Sequence, residues 1–253
     1  MPIESRRIDS TTSQPGQAGR LPLVVAAAQP ACAPGNVRAN IDAHAQAVQN
    51  AKARLVVFPE LSLTGYVLSA EPLALDDPVL QPLVNACATT GAIALVGAPA
   101  RDGDGRVSIA VLAVSGGGTE VVYRKTYLGG QEPEFFTAGD GPATVQVDGW
   151  RVGLGVCKDT GTAEHIDETA ALDVDVYAAG LIHSPDELAE QDRRGLRIAG
   201  ACAAPVVFAS AAGPVGGPYE ATAGTSTVWG AGGEVLARAG TAPGQVVRTV
   251  IGD

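Results

Sequence analysis

The stretch LVVFPELSLTGY, residues 55–66, decides how the rest of the chain is interpreted. It begins as a continuous apolar run, which is typical of a β-strand buried on both faces. Phe58 and Pro59 follow, then the carboxylate of Glu60, and the chain turns at Gly65. A carboxylate next to a core is costly to desolvate unless it has a partner. We therefore take Glu60 as a candidate functional residue at the end of a buried strand.

Strand and helix patterns alternate on both sides of this stretch. An apolar run at 21–30 precedes a helical pattern at 36–53, and the strand at 54–60 is followed by a helix at 76–90 and a strand at 92–100. This alternation predicts an α/β fold with parallel strands.

Hairpin patterns enter in the second half of the chain. Alternating runs at 107–115 and 119–128 predict one antiparallel hairpin, and 143–157 predicts another that stops at Cys157. The later elements are a helix at 162–173, a strand at 174–183, a helix at 184–203, a strand at 204–213, a closing hairpin at 223–240 and an edge strand at 244–251. We predict an α/β sandwich of mixed sheets.

Length and charge limit the classes of protein to consider. We predict one domain over residues 21–253 after a flexible tail at 1–20, which has few large apolar groups to pack. The balance of 17 Lys+Arg against 27 Asp+Glu gives a net charge of −10. It argues against nucleic acid or an anionic membrane as partner, since both bind clustered positive charge. The chain shows neither the roughly 18 consecutive apolar residues of a membrane span nor a secretory signal, so we expect a cytoplasmic protein.

Cysteine and histidine usage indicates neither a zinc site nor a disulfide framework. The four cysteines are Cys32, Cys87, Cys157 and Cys202, with no C-x-x-C pair, and the three histidines are His44, His165 and His183, at dissimilar spacings. We expect three of the thiols to be small core residues and any catalysis to proceed without metal.

Cys157 differs from the other thiols in its neighbours. GVCKDT, residues 155–160, is rich in polar groups, whereas Cys87 and Cys202 have small apolar neighbours. Where a strand enters a helix, backbone N–H groups and the helix dipole lower the pKa of a thiol, so we predict a lowered pKa for Cys157. Like Glu60, Lys125 is a charged residue at an apolar strand, and it lies within the predicted strand at 119–128.

Taken together, Glu60, Lys125 and Cys157 resemble the glutamate, lysine and cysteine of the nitrilase, or carbon–nitrogen hydrolase, superfamily, and within it the amidase-like branch. The three follow in the family's order with family-like separations, and the resemblance extends from about Leu21 to Asp253. Its most specific pieces are VVFPELSLTGY (56–66), YRKTYL (123–128), FFTAGD (135–140) and RVGLGVCKD (151–159).

The resemblance implies a four-layer α-β-β-α sandwich with two mixed β-sheets, whose protomers pair as a homodimer or higher homo-oligomer. It implies that Glu60 is a general base and that Cys157 forms a thioester. Lys125 would keep Glu60 ionised and stabilise the oxyanion together with the backbone N–H of Lys158. No cofactor is expected, and the partner is a small amide or N-carbamoyl substrate.

The family's second glutamate corresponds to Glu132 by spacing, with Glu134 as the competing position. We favour Glu132. Two other functions stay open: a nitrile hydrolase that uses the same residues, and a non-catalytic binding paralogue in which they are relics.

Several positions that line the substrate pocket in the family depart from its pattern. Tyr127 replaces a common histidine and Lys158 a common aromatic residue, and the usual arginine and aromatic-proline run after Asp159 is absent. We predict Tyr127, Lys158, Asp159 and His183 as substrate-binding residues. Lys158 pairs with either a substrate carboxylate or Asp159, and His183, like His165, either faces the pocket or is a solvent-facing or loop-packing side chain.

Overall fold

The computed structural model describes residues 20–252, so the predicted tail at 1–20 lies outside the described residues except for Arg20. Arg20 itself is held against the domain. Its guanidinium is 2.8 Å from a carboxylate oxygen of Asp175 and lies over the ring of Trp150.

Within residues 20–252 the strands form two six-stranded sheets. The first has the order β12-β1-β2-β3-β4-β5, formed by β1 (Leu23–Gln29), β2 (Leu55–Val57), β3 (Ile93–Arg101), β4 (Val107–Ser115), β5 (Gly118–Arg124) and β12 (Gln245–Ile251). The second has the order β11-β10-β9-β8-β7-β6, formed by β6 (Thr144–Val147), β7 (Trp150–Val156), β8 (Val176–Leu181), β9 (Val206–Ser210), β10 (Thr227–Trp229) and β11 (Val235–Arg238). In each sheet three strands run parallel, β1 to β3 and β7 to β9, and the outer pairs are antiparallel.

The helices cover the outer faces of the two sheets. They are α1 (Val37–Ala51) and α2 (Gln81–Thr90) on the first sheet, and α3 (Ala163–Ala170) and α4 (Leu188–Cys202) on the second. Separate apolar clusters fill the three spaces between the layers, the central one drawing side chains from both sheets. The predicted four-layer α-β-β-α sandwich is confirmed. No helix in the described part of the chain is long and apolar enough to cross a bilayer.

β2 is shorter than the predicted strand at 54–60 and ends at Val57. The amide of Phe58 still donates to the carbonyl of Leu95 at 2.9 Å, but Pro59 has no N–H with which to continue the ladder. The chain therefore leaves the sheet immediately before Glu60.

β5 is likewise shorter than the predicted strand at 119–128 and ends at Arg124. A returning loop takes over at this point, because the amide of Gly139 donates to the carbonyl of Lys125 at 2.8 Å. A Cβ at Gly139 would lie 2.2 Å from the carbonyl oxygen of Arg124, so the close approach requires glycine. Lys125 thus follows the strand instead of lying within it.

His44 connects α1 to the turn after Glu60. Its Nδ1 is 2.6 Å from the carbonyl oxygen of Asn40, which only accepts, so Nδ1 carries the proton and Nε2 accepts from the Ser62 hydroxyl at 2.9 Å. The ring stacks on Phe58 at 4.3 Å. Burial lowers the pKa of His44 from 6.5 to about 4, although its hydrogen bond to Asn40 opposes the shift.

This buried imidazole makes the free energy of unfolding depend on pH. As the pH falls from about 6.5 to about 4, the unfolded chain binds a proton that the folded His44 does not, so the folded state loses up to about 3 kcal/mol. His44→Gln removes that term. Urea unfolding across this range should show the stability advantage of the parent protein over the variant shrinking as the pH falls; a constant difference would contradict the assignment.

Candidate active site

The backbone around Glu60 lies between the two sheets, and each sheet approaches it closely at a glycine. A Cβ at Gly97 of β3 would lie 2.3 Å from the amide nitrogen of Leu61, and a Cβ at Gly180 of β8 would lie 2.7 Å from the amide nitrogen of Glu60. No side chain fits at these distances without moving the backbone. The missing side chains let both sheets approach the segment that carries Glu60 and fix its position.

Lys125 lies between two carboxylates and is almost fully buried. Its Nζ donates to Oε1 of Glu60 at 2.6 Å and to Oε1 of Glu132 at 2.8 Å. Glu132 is held in turn by the amide of Gly129, at 2.8 Å from Oε2, and by the Tyr66 hydroxyl, at 3.2 Å from Oε1. The three side chains form a buried charged cluster.

Burial distinguishes Glu132 from Glu134 as the candidate for the family's second glutamate. Glu132 is 2% exposed and contacts Lys125, whereas Glu134 is exposed. The structure thus brings Glu132, the favoured residue, to Lys125 and leaves Glu134 outside the cluster.

Burial and the neighbouring charges shift the pKa values of Lys125 and Glu60. Burial alone would lower the pKa of Lys125, but the charges around it, that of Glu60 first, raise it above its ordinary value, so the ammonium is retained. Burial raises the pKa of Glu60, and Lys125 opposes that shift. Glu60 is thus a stronger base than a solvent-exposed carboxylate.

Cys157 is the first residue after β7 and begins a short 3-10 helix that ends at Gly161. Its φ of 43° lies in the left-handed region, which is strained for a residue with a side chain. The thiol donates to the carbonyl of Ile182 at 3.4 Å. A strained turn that carries a nucleophile-type side chain out of a strand end is a feature of functional sites.

The prediction of a lowered pKa for Cys157 is wrong. Burial, followed by the charge of Glu60, raises the pKa of the thiol to about 12. The helix dipole has little effect because α3 begins only at Ala163, after the 3-10 turn. The resting side chain is therefore a thiol, and a base must remove its proton before it can act as a nucleophile.

Asp159 supports this turn from inside the protein. It is fully buried, and both of its carboxylate oxygens are occupied by the hydroxyl of Tyr123 at 2.8 Å and the amides of Tyr127 and Val156, each at 2.9 Å. We assign Asp159 a structural role in place of the predicted substrate contact, because no oxygen is left to face the site.

Tyr127 and Lys158 lie at the edge of this region. The Tyr127 ring packs edge-on against His165, at 6.3 Å, next to α3. Lys158 is exposed, and its ammonium donates to the carbonyl of Leu128 at 2.5 Å. Neither side chain is hydrogen-bonded to Glu60, Lys125 or Cys157, and the alternative in which Lys158 pairs with Asp159 does not occur.

The two later histidines are buried, which excludes the solvent-facing alternative for both and leaves the packing alternative. His165 Nε2 is 3.0 Å from the Tyr123 hydroxyl. His183 lies 3.3 Å from Gln191 Oε1 through Nδ1 and 3.3 Å from an Arg194 nitrogen through Nε2. His183 therefore packs behind the Cys157 turn.

The other thiols differ in burial. Cys87 is buried in the core, as predicted, whereas Cys32 and Cys202 are only partly buried at the margins of apolar clusters. Among residues 20–252, no three His, Cys, Asp or Glu side chains are grouped as a metal site requires.

Sequence reasoning missed three aromatic or basic residues near the site. Tyr66 reaches Glu132 and packs edge-to-face with Tyr219 at 4.9 Å. Arg194 donates to the backbone carbonyl of Cys157 at 3.3 Å. Tyr66 lies within the stretch that resembles the family and was open to detection, but nothing in the sequence around Arg194 or Tyr219 indicates proximity to Cys157.

One wall beside the thiol is apolar. Ile182, whose carbonyl accepts from Cys157, belongs to a small cluster that includes Val215 and Ala211, with Tyr66 and Tyr219 packed against it. The site thus combines a charged cluster on one side with apolar surface on the other.

Comparison with known proteins gives a family match over most of the chain. The carbon-nitrogen hydrolase family matches residues 24–251. A "Hydrolase in pqqF 5'region" of Pseudomonas protegens is 34% identical over 124 residues, which are 46% of this chain and 44% of that protein. An (R)-stereoselective amidase of Pseudomonas sp is 35% identical over 109 residues, 42% of this chain and 39% of that protein. The chain thus matches under half the length of either curated relative.

Solved structures share the architecture. An amidase from Nesterenkonia AN1, of the nitrilase superfamily, superimposes with a TM-score of 0.80 at 23% identity, covering 90% of each chain. In a variant of that amidase, the acetamide moiety of fluoroacetamide is covalently added at the active site cysteine. At this identity the likeness demonstrates the fold.

The glycine contacts around Glu60 predict a stability loss on enlargement. Gly180→Ala places a methyl group against the Glu60 backbone, and we expect it to lower the free energy of unfolding by about 1–3 kcal/mol. Gly200→Ala is the matched control, since a Cβ there meets nothing within 4 Å and alanine favours the helix. Urea unfolding at neutral pH measures both. A Gly180→Ala protein as stable as its parent would contradict the contact.

Proposed function

This chain belongs to the carbon–nitrogen hydrolase family of the nitrilase superfamily, and we propose that it hydrolyses a non-peptide carbon–nitrogen bond in a small amide or N-carbamoyl compound. The observation that carries the proposal is the buried cluster in which Lys125 contacts Glu60 and Glu132, with Cys157 at the end of β7 in the facing sheet. The homodimer and the cytoplasmic location expected above belong to the same proposal.

The first half of the reaction forms an acyl-enzyme. Glu60 removes the thiol proton, and Sγ of Cys157 attacks the carbonyl carbon, forming a C–S bond while the carbonyl π electrons move to oxygen. Lys125 and the backbone N–H of Lys158 stabilise that oxyanion, because the first amides of a helix have no acceptor within it. Collapse breaks the C–N bond, and the proton held by Glu60 passes to the departing ammonia or amine.

The second half regenerates the thiol. Glu60, again a carboxylate, removes a proton from water, and the resulting hydroxide attacks the thioester carbon. The C–S bond breaks, the acid leaves, and the proton returns from Glu60 to the sulfur of Cys157. No group beyond the substrate and water is consumed.

The raised pKa of the thiol is consistent with a mechanism in which Glu60 is the base and Cys157 the nucleophile. A thiol that is neutral at rest requires a base at the moment of attack, and Glu60 is a base strengthened by burial. Glu132 holds the ammonium of Lys125 from the side opposite Glu60. The cysteine adduct in the Nesterenkonia amidase supports a nucleophilic role for the corresponding thiol in this fold.

The substrate class is tested by ammonia release from a panel of simple amides, N-carbamoyl amino acids, ureido acids and nitriles. We expect release from amides or carbamoyl compounds, and a complete loss in Cys157→Ala, because that change removes the nucleophile and little volume. Cys202→Ala is the control, since this partly buried thiol lies on the far side of the second sheet.

Other outcomes would change the proposal. Ammonia from nitriles alone would make the protein a nitrile hydrolase. No ammonia from any compound would favour the binding paralogue, and normal turnover by Cys157→Ala would refute the chemistry.

The role of Glu60 as the base predicts how kcat/KM depends on pH. Because the pKa of Glu60 is raised above its ordinary 4.5, kcat/KM should fall on acidification with a midpoint above that value. Glu60→Gln should lower kcat/KM by about a hundredfold or more and abolish this acid limb. Glu134→Gln, which changes an exposed carboxylate of the same loop as Glu132, is the control and should keep the parent's profile. An acid limb that survives in Glu60→Gln would assign the base elsewhere.

A further inference from the structure

Arg194 of α4 reaches the nucleophile's backbone from behind. One guanidinium nitrogen donates to the carbonyl oxygen of Cys157 at 3.3 Å and is 3.3 Å from Nε2 of His183. Nε donates to Oε1 of Glu190 at 2.7 Å. Arg194 thus ties the outer helix to the residue that carries the thiol.

A glycine makes this contact possible. A Cβ at Gly161, the last residue of the 3-10 turn, would lie 2.8 Å from Cζ of Arg194 and 3.0 Å from its Nε. The guanidinium therefore occupies the space that a side chain at Gly161 would fill. Any residue larger than glycine must push Arg194 away from the turn.

The guanidinium is held in place by a buried histidine of fixed tautomer. Arginine only donates, so Nε2 of His183 accepts, and Nδ1 carries the proton toward Oε1 of Gln191. The amide nitrogen of Gln191 is in turn within 3.4 Å of the carbonyls of Gly224 and Thr225. This chain of contacts fixes Arg194 on the side away from its ion pair with Glu190.

We propose that Arg194 is a positioning residue for the nucleophile: it holds the carbonyl of Cys157 and thereby keeps the thiol oriented in its strained turn. The inference rests on the proposed role of Cys157. Arg194 contacts the backbone of Cys157 and none of the reacting atoms, so it acts through that residue.

Two further observations fit this role. The φ of 43° at Cys157 is unfavourable in isolation, and the hydrogen bond from Arg194 to its carbonyl, together with that from the Thr160 hydroxyl at 2.6 Å, offsets part of that strain. The positive charge of Arg194 also acts to lower the pKa of the Cys157 thiol, against the larger effects of burial and Glu60.

The test measures the thiol directly and needs no substrate. Iodoacetamide alkylation of Cys157 is followed by peptide mass spectrometry, which separates it from the other three cysteines, between about pH 6 and about pH 10. Arg194→Gln should slow alkylation about tenfold at each pH, the factor for loss of a charged hydrogen bond, so that a given rate is reached at a pH about one unit higher. Gly161→Ala should move both quantities in the same direction.

Two matched controls separate positioning from general damage. Arg193→Gln removes a neighbouring guanidinium that also pairs with Glu190 but does not reach Cys157. Gly200→Ala adds a methyl group to α4 where there is open space. Both should keep the parent's alkylation rate and pH profile.

Unchanged alkylation in folded Arg194→Gln and Gly161→Ala would overturn the inference. If Arg194→Gln fails to fold, Gly161→Ala alone decides, because it keeps every charge. Amide turnover by the parent protein is scored separately: turnover with unchanged alkylation refutes the positioning role and leaves the proposed function intact. Slowed alkylation in the two variants, with no amide turnover by the parent protein, would support the positioning role and count against the proposed function.

Discussion

The ammonium of Lys125, buried between the carboxylates of Glu60 and Glu132, is the interaction on which the rest of the site depends. A buried charge that loses its partner destabilises a protein by about 3–5 kcal/mol, so the three groups require one another. They come from the ends of β2 and β5 and from the loop after β5. The cluster therefore fixes where these segments meet, and in the proposed mechanism it also supplies the base and an oxyanion donor for Cys157.

Close backbone approach is the second constraint. Gly97 and Gly180 let the two sheets enclose the segment that carries Glu60, and Gly161 leaves room for Arg194 behind Cys157. In each case the absence of a side chain lets a neighbouring backbone or guanidinium come close enough to fix the position of a functional group. The sandwich thus positions its charged residues through the spacing of its layers as much as through hydrogen bonds.

The fold and the main cluster were predictable because their signals are local. Apolar runs that end in Glu60 and Cys157 mark buried strands, and their order along the chain resembles one family. The raised pKa of Cys157, the buried supporting role of Asp159 and the contact of Arg194 depend on segments far apart in the sequence. Pattern analysis treats each segment alone and cannot supply those distances, and the substrate-binding roles of residues such as Tyr127 stay predictions.

The central claim, that Cys157 carries the acyl group, is tested most directly by acid-quenching the protein within its first turnover of an amide that it hydrolyses. Peptide mass spectrometry then locates any added mass. The account predicts that a burst of ammonia, which occurs when deacylation limits turnover, is matched by the mass of the acyl group on the Cys157 peptide. A burst of ammonia with the Cys157 peptide unmodified at every time point would contradict it.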